Sequence, residues 1–296
     1  MREIQTIAAL RSELDRERSL GANVGLVPTM GFLHDGHASL IRRAASENDV
    51  VVLSVYVNPL QFAADEDLVA YPRDLDGDRA TAASAGAQLL FVPEAREMVP
   101  AAMATIVMVT GVSEGMEGSS RPSHFAGVAT IVAKLFAITG PCRAYFGEKD
   151  FQQLAVIATM ARDLALPVEV IGCEIVREPD GLARSSRNVY LTPVERAAAP
   201  AIHRSLLAGQ RVLFETSEGN ATVQSVLDAV RHALAEEPLI DLDYVELVDP
   251  ATLSPMTELD RPARLCVAVR LGRARLIDNL AISPPSRFDD QLDGST

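Results

Sequence analysis

Tryptophan is absent from this 296-residue chain, and aromatic residues make up only 5% of it. Cysteine is scarce: Cys142, Cys173 and Cys266 stand far apart, with no Cys-x-x-Cys or Cys/His spacing. An odd, scattered set excludes a disulfide framework and a cysteine-built zinc site, and reads as reduced core residues. No apolar run reaches the roughly 20 residues of a membrane span. The start, Met1-Arg-Glu-Ile4, lacks the features of a signal peptide, so a cytoplasmic protein without a membrane partner is expected. Positive charge is also short. With 27 basic against 40 acidic residues the net charge is −13, which excludes the basic footprint of a nucleic-acid partner. Only two of the 27 are lysines, Lys134 and Lys149.

A retained lysine marks a place where a compact ammonium fits and a planar guanidinium does not, such as between phosphates. Lys134, inside an apolar helical pattern, is equally a snorkelling side chain. The remaining composition, 48% hydrophobic and 23% charged, is that of an ordinary globular protein long enough for about two domains.

The chain is organised around residues 24–37. Val24-Gly-Leu-Val27 is too short for a helix, meets Pro28, passes Gly31 and Gly36, and opens into Ala38 to Ala45, which has helical spacing. That order predicts strand, tight turn, helix. His34 and His37 stand three apart at the junction, on one face of an incipient turn, where both imidazoles reach one phosphate beside the helix's free N–H groups. Solvent-facing or capping histidines are the plainer alternative. Val50 to Asn58 is continuously apolar and β-branched, which predicts a strand covered on both faces and hence a parallel sheet. Asn58 and Gln61 follow it, either as amides facing the crevice for a hydroxy acid or as parts of an Asn-Pro turn.

Elsewhere the pattern predicts an amphipathic helix over residues 1–20 (Ile4, Ile7, Leu10, Leu14), a helix from Thr81 to Ala87, and strands over Gln88–Val92 and Ala104–Thr110. The acidic stretch Asp65 to Asp78 is either a solvated face or a source of magnesium ligands. Gly111 to Phe125, polar and rich in glycine and serine, reads as a functional lid or a disordered segment, with Arg121 and His124 inside it. A helix is expected from Gly127 to Ile138. Arg143 to Gly147 then leads into Glu148-Lys149-Asp150-Phe-Gln-Gln153, repeating the layout of the first junction and setting Lys149 and Gln153 one helical turn apart. A strand is expected over Pro167–Val176. Arg177 to Asn188 carries two serines between guanidiniums, suited to a pyrophosphate or triphosphate tail unless it is simply an exposed loop. After Pro193 two helices (to Phe214, and Ala221 to Glu237) precede two strands (Leu242–Val248, Leu265–Leu271). The expected division is a Rossmann-like domain over residues 1–175, a smaller α+β domain over 176–283 and a flexible tail over 284–296.

Five stretches, taken in order, carry a resemblance. Pro28-Thr-Met-Gly31 with His34-Asp-Gly-His37, Val57 to Phe62, Tyr71-Pro-Arg73, Gly147 to Gln153 and Pro179 to Asn188 resemble the pantothenate synthetases, ligases that join pantoate to β-alanine, within the nucleotidylyltransferase superfamily with its His-x-Gly-His signature. The resemblance implies an α/β fold with a Rossmann-like parallel sheet of nucleotidylyltransferase type, a smaller α+β domain, and a homodimer. It implies a reaction in which ATP and pantoate form a pantoyl adenylate and the β-alanine amine then displaces AMP, with Mg2+ accompanying ATP. Its implied ATP contacts are Met30, Gly31, Phe32, Leu33, His34, Asp35, Gly36 and His37, then Gly147, Glu148, Lys149 and Asp150, with Val176 near adenine. Ser185, Ser186 and Arg187 join His34, His37 and Lys149 on the phosphates. Gln61 and Gln153, with Asn58, fall to pantoate or β-alanine, Arg121 and His124 to the site's entrance, and Asp78 to the metal. Three positions depart from the family pattern. Phe32 and Leu60 replace residues that are often smaller, and Arg184 stands where an apolar residue is common, to touch phosphate or face solvent.

Overall fold

The computed structural model describes residues 1–62, 68, 69, 71–101, 103–215 and 221–283. Contacts divide it into two compact units, Met1–Glu178 with Ala183–Ser186, and Pro179–Leu182 with the chain from Arg187 onward.

In the first unit the elements run β1 (Arg2–Ile4), α1 (Ile7–Ser19), β2 (Val24–Thr29), α2 (Asp35–Glu47), β3 (Val50–Val55), α3 (Leu75–Ala85), β4 (Leu89–Phe91), α4 (Ala95–Met98), α5 (Glu117–Ser120), α6 (His124–Thr139), β5 (Cys142–Gly147), α7 (Phe151–Asp163) and β6 (Val168–Cys173). The six strands form one sheet in the order β1-β4-β3-β2-β5-β6, parallel throughout. The continuous apolar runs of β2 and β3 follow from this: Val27, Val51 and Leu53 pack under α2 and α3, and alternation along the strand turns Leu26 to the other face, where α6 meets β2. β2 pairs with β3 over six residues but with β5 only at Gly25 and Leu26. The sheet's order reverses between β2 and β5, and their carboxyl ends part there, opening the crevice where open α/β sheets bind ligands.

Several expectations change. Ile4 lies in a short strand rather than a helix, because pairing with β4 at the sheet edge outweighs the helical pattern of its neighbours. β2 runs through Pro28 to Thr29; a proline is tolerated there because no β5 partner accompanies the strand beyond Leu26. Residues 104–110 form no strand, although their exposure alternates: they pair with no strand of the sheet, and the Val107 amide donates to Thr130 Oγ1 on α6 instead. Gly111–Phe125 is not a disordered segment; Val112, Met116, Glu117 and Gly118 are buried, and α5 lies within it.

The second unit holds α8 (Pro193–Ala198), α9 (Ala201–Glu215), α10 (Val223–Ala235), β7 (Ile240–Val248), β8 (Ala263–Leu271) and β9 (Ala274–Ile282). Pro200 splits the first expected helix in two. The sheet is antiparallel in the order β7-β8-β9, so there is one strand more than expected, joined by the tight turn at Gly272 and Arg273. Its core packs α9 and α10 on the sheet through Ile202, Leu206, Val226 and Val230 against Val245, Leu265 and Val267. The expected tail, residues 284–296, and Asp65, Glu66 and Asp67 of the acidic stretch lie outside the described residues.

Candidate active site

Five residues, Met30 to His34, carry the chain from β2 to α2. Thr29 Oγ1 donates to the Ser54 carbonyl and accepts the Gly31 amide, starting the turn. Gly31 (φ +81°) and Phe32 (φ +51°) are both left-handed, and a Cβ on Gly31 would lie 2.8 Å from Asp78 Oδ2. His34 is the N-cap of α2: its Nδ1 accepts the Gly36 amide at 3.1 Å, while His37 Nδ1 accepts the His34 amide at 3.3 Å. This reciprocal cap settles the tautomer. Each Nδ1 accepts, so each proton sits on Nε2, and the rings lie 4.1 Å apart between centroids.

Both imidazoles are held neutral. His34 is lowered to about 4, chiefly by burial and then by the charges of Lys149 and Arg184. His37 is lowered to about 3, again chiefly by burial, with His34 and Lys149 adding to it. The capping reading of the pair therefore holds, and it leaves each ring an N–H on its other nitrogen.

Across the crevice, a 3-10 turn (Glu148–Asp150) leads from β5 into α7. Lys149 sits in it, 17% exposed, with Nζ 3.8 Å from Asp150 Oδ1. The other lysine has a structural post: Lys134 Nζ donates to the Glu97 and Met98 carbonyls at the end of α4.

Gln61 ends a short 3-10 turn after β3 and is the hub of a network. Its Oε1 accepts from Asn58 Nδ2 and its Nε2 reaches Met30 Sδ at 3.2 Å. Its carbonyl takes His124 Nδ1 at 3.0 Å and Arg121 Nη2 at 3.2 Å, and Arg121 Nη1 donates to His124 Nε2. Asn58 does not face the crevice as expected. It is 3% exposed and saturated, accepting from the Leu60 amide and donating to Gln61 and to the Gly127 carbonyl. The approach of α6 that makes this possible requires Gly127, since a Cβ there would lie 2.1 Å from the Leu60 carbonyl oxygen.

Gln153 is half-buried on α7 and makes no side-chain hydrogen bond among the described residues. Its neighbour Gln152 was missed by sequence reasoning. It is 6% exposed, donates to the Val112 and Gly115 carbonyls, and accepts the Glu117 amide, pinning the glycine-rich segment to α7. No sequence signal separates the two glutamines except helical phase.

The basic loop reaches the first junction through Ser186, whose Oγ lies 3.5 Å from the Phe32 carbonyl. Arg184 pairs with Asp35 at 2.9 Å and Glu178 at 3.0 Å, its side chain still partly exposed, and its amide donates to the Val176 carbonyl. Arg187, in the 3-10 turn Ser186–Tyr190, is counted with the second unit.

Asp78, expected to bind metal, lies in the first turn of α3 with 2% exposure. Its Oδ2 accepts the Phe32 amide at 3.0 Å and its Oδ1 the Leu33 amide at 2.7 Å. Burial raises its pKa, against the pull of those two bonds. Among the described residues no three His, Cys, Asp or Glu side chains gather as a metal site.

The family model for pantoate–β-alanine ligases matches residues 2–281. The chain belongs to the pantoate–β-alanine ligase family. A relative from Rhizobium meliloti, named pantothenate synthetase, is 52% identical over 97% of this chain and 98% of its own. The crystal structure of pantothenate synthetase from Thermus thermophilus superposes with a TM-score of 0.90 at 50% identity, over 96% of this chain and all of that one. The pantoate–β-alanine ligase of Francisella tularensis, solved with a β,γ-ATP compound and β-alanine, has a TM-score of 0.75 at 33% identity, over 95% and 97% of the two chains. The two-part α/β and antiparallel architecture is thus a pantothenate synthetase architecture.

Proposed function

We propose that this chain condenses pantoate with β-alanine, using ATP, through a pantoyl adenylate. The observation that carries the reading is the pair of neutral imidazoles, each with Nε2–H as its remaining donor, facing a junction that holds Lys149. The pantoate carboxylate attacks the α-phosphate, the bond to pyrophosphate breaks, and negative charge grows on the phosphoryl oxygens. His34, His37 and Lys149 donate to those oxygens, with Ser185 and Ser186 on the departing pyrophosphate. The β-alanine amine then attacks the acyl carbonyl, loses its proton, and AMP leaves. Little covalent work falls to the protein; its task is to position and to neutralise. Gln61, fixed through its own carbonyl and through Asn58, and Gln153 hold pantoate by their amides. Arg121 and His124 act by holding Gln61. Residues 30–37 and 147–150 cradle ATP, with Val176 beside adenine, all within the first unit, which runs to Glu178 and includes Ala183–Ser186.

Mg2+ belongs with ATP in this reading, as the counter-ion of its phosphates. Among the described residues no three His, Cys, Asp or Glu side chains gather to cage it, and each Asp78 oxygen accepts a loop amide. No helix of the described residues is long and apolar enough to cross a membrane, and the three cysteines are free, which supports a cytoplasmic site of action. We assign a homodimer whose pairing edge is the extended segment 104–110, where Ile106 and Met108 are 66% and 75% exposed. Sedimentation of Met108→Glu as a monomer supports that edge; a dimer unchanged in both Met108→Glu and Ile106→Glu removes it.

The decisive experiment follows AMP and pyrophosphate from MgATP and pantoate, with and without β-alanine. A stoichiometric pyrophosphate burst without the amine, and steady AMP release only with it, is expected. A stable nucleotidylated product instead of AMP makes the chain a nucleotidylyltransferase, and no product at all makes it a nucleotide-binding module.

A further inference from the structure

The turn that carries the two histidines is held in a conformation its own residues resist. Gly31 accepts φ +81° without strain, but Phe32 at φ +51° has a Cβ and is sterically disfavoured in the left-handed region. Two successive left-handed residues bring the following amides to a common point, the concavity in which backbone N–H groups bind anions. The anion filling it is the protein's own. Asp78 Oδ2 takes the Phe32 amide and Oδ1 the Leu33 amide, from a side chain 2% exposed and rooted one turn inside α3. The fit is close enough that any Cβ on Gly31 would collide with Oδ2. α3 is itself packed on α2, the helix that His34 caps, so the carboxylate ties the turn to the helix beneath it.

We propose that Asp78 is a positioning residue that clamps the left-handed turn ahead of His34 and His37, and not a ligand of the metal that accompanies ATP. Each carboxylate oxygen already accepts one amide, and with the side chain 2% exposed the remaining lone pairs have no open approach for a hydrated metal ion. The clamp acts at a distance: with Phe32 released toward an ordinary φ, His34 leaves the N-cap position, and the two Nε2–H donors lose their common aim. Phe32 and Asp78 are therefore coupled, since the carboxylate is needed only because position 32 is not glycine.

Amide hydrogen exchange on the full chain, free of ligand and with metal removed by a chelator, tests the clamp without reference to turnover. Slow exchange at Phe32 and Leu33 in the wild type, accelerated about tenfold or more in Asp78→Asn and Asp78→Ala, is expected for paired amides released from their acceptor. Fast exchange at both amides in the wild type overturns the proposal. The turnover arm rests on the ligase reading above and uses MgATP, pantoate and β-alanine. The clamp predicts that Asp78→Asn lowers kcat about tenfold or more while the magnesium concentration for half-maximal rate moves less than about twofold, and that adding Phe32→Gly recovers part of the loss. A magnesium requirement raised about tenfold or more, with exchange unchanged and no recovery by Phe32→Gly, makes Asp78 a metal ligand. Loss of stability alone, with kcat and magnesium dependence both intact, reduces it to a packing residue and equally ends the proposal.

Discussion

Five residues lead from β2 to α2 and three from β5 to α7, and the two junctions solve the same problem differently. Both bring donors to the crevice where the sheet's order reverses. The longer one turns through two left-handed residues, borrows a carboxylate from α3 to stay there, and presents neutral imidazoles whose tautomers are set by the cap. The shorter one is a single 3-10 turn without left-handed residues, and it presents a full charge on Lys149. The charge acts across the crevice as well, since Lys149 is among the causes that keep both histidines deprotonated. A neutral donor has to be aimed, and so demands an anchored turn; an ammonium with three rotatable donors tolerates a simpler one.

The comparison breaks most visibly at its two ends. Lys149→Ala is expected to lower adenylation about a hundredfold to a thousandfold while leaving the fold intact, as judged by single-turnover pyrophosphate release and circular dichroism. His37→Ala is expected to cost about a hundredfold, with additional loss of the cap on α2. If His37→Ala retains wild-type turnover while Lys149→Ala does not, the charged junction works alone.

A smaller effect sharpens the role of α7. Gln152→Ala leaves two carbonyls and one amide without their partner, and about 1–3 kcal/mol of stability should go with them, read as a lowered midpoint in urea. Gln153→Ala on the same turn should leave that midpoint in place and raise the pantoate KM instead. Equal effects of the two substitutions on stability would show that Gln153 is structural as well.

The neutrality of the histidines has a pH signature. Their folded-state values, about 4 for His34 and about 3 for His37, lie below the 6.5 of an exposed histidine. Between those limits the unfolded chain binds more protons, so this contribution to stability is fully present above pH 6.5 and falls away as the pH drops through about 4 and 3. In the free enzyme kcat/KM should show no histidine inflection from about pH 6 to 8. Nitrogen-15 NMR should report the Nε2–H tautomer for both rings; a free-enzyme titration near neutrality at either would contradict their neutrality.

The smallest expected effect is at Arg184. Its pairs with Asp35 and Glu178 are partly exposed, so Arg184→Met should change stability by less than about 1 kcal/mol, measured at low and high salt. A tenfold rise in the ATP KM would instead put the guanidinium on phosphate.

Much of this was legible beforehand. Continuous apolar runs announced the parallel sheet, the glycine-flanked histidine pair announced the turn, and the rarity of lysine singled out Lys149. What failed did so where tertiary partners decide. Ala104–Thr110 has a strand's alternation but gives its Val107 amide to a side chain of α6, Asn58 has the right chemistry but faces α6, and β9 was hidden because the Gly272-Arg273 turn is a weak signal.

The sequence by itself determined the chemistry available: which donors exist, in what order, and on which local elements, because periodicity and turn residues act over a few positions along the chain. Only the tertiary structure decided which of those groups remain available to a ligand. Asp78 and Gln152 are consumed by backbone groups 35 to 46 residues away, and the imidazoles are made neutral by burial and by a lysine from another junction. Hydrogen-bond satisfaction and desolvation depend on what lies across space, and that is set when the sheet closes.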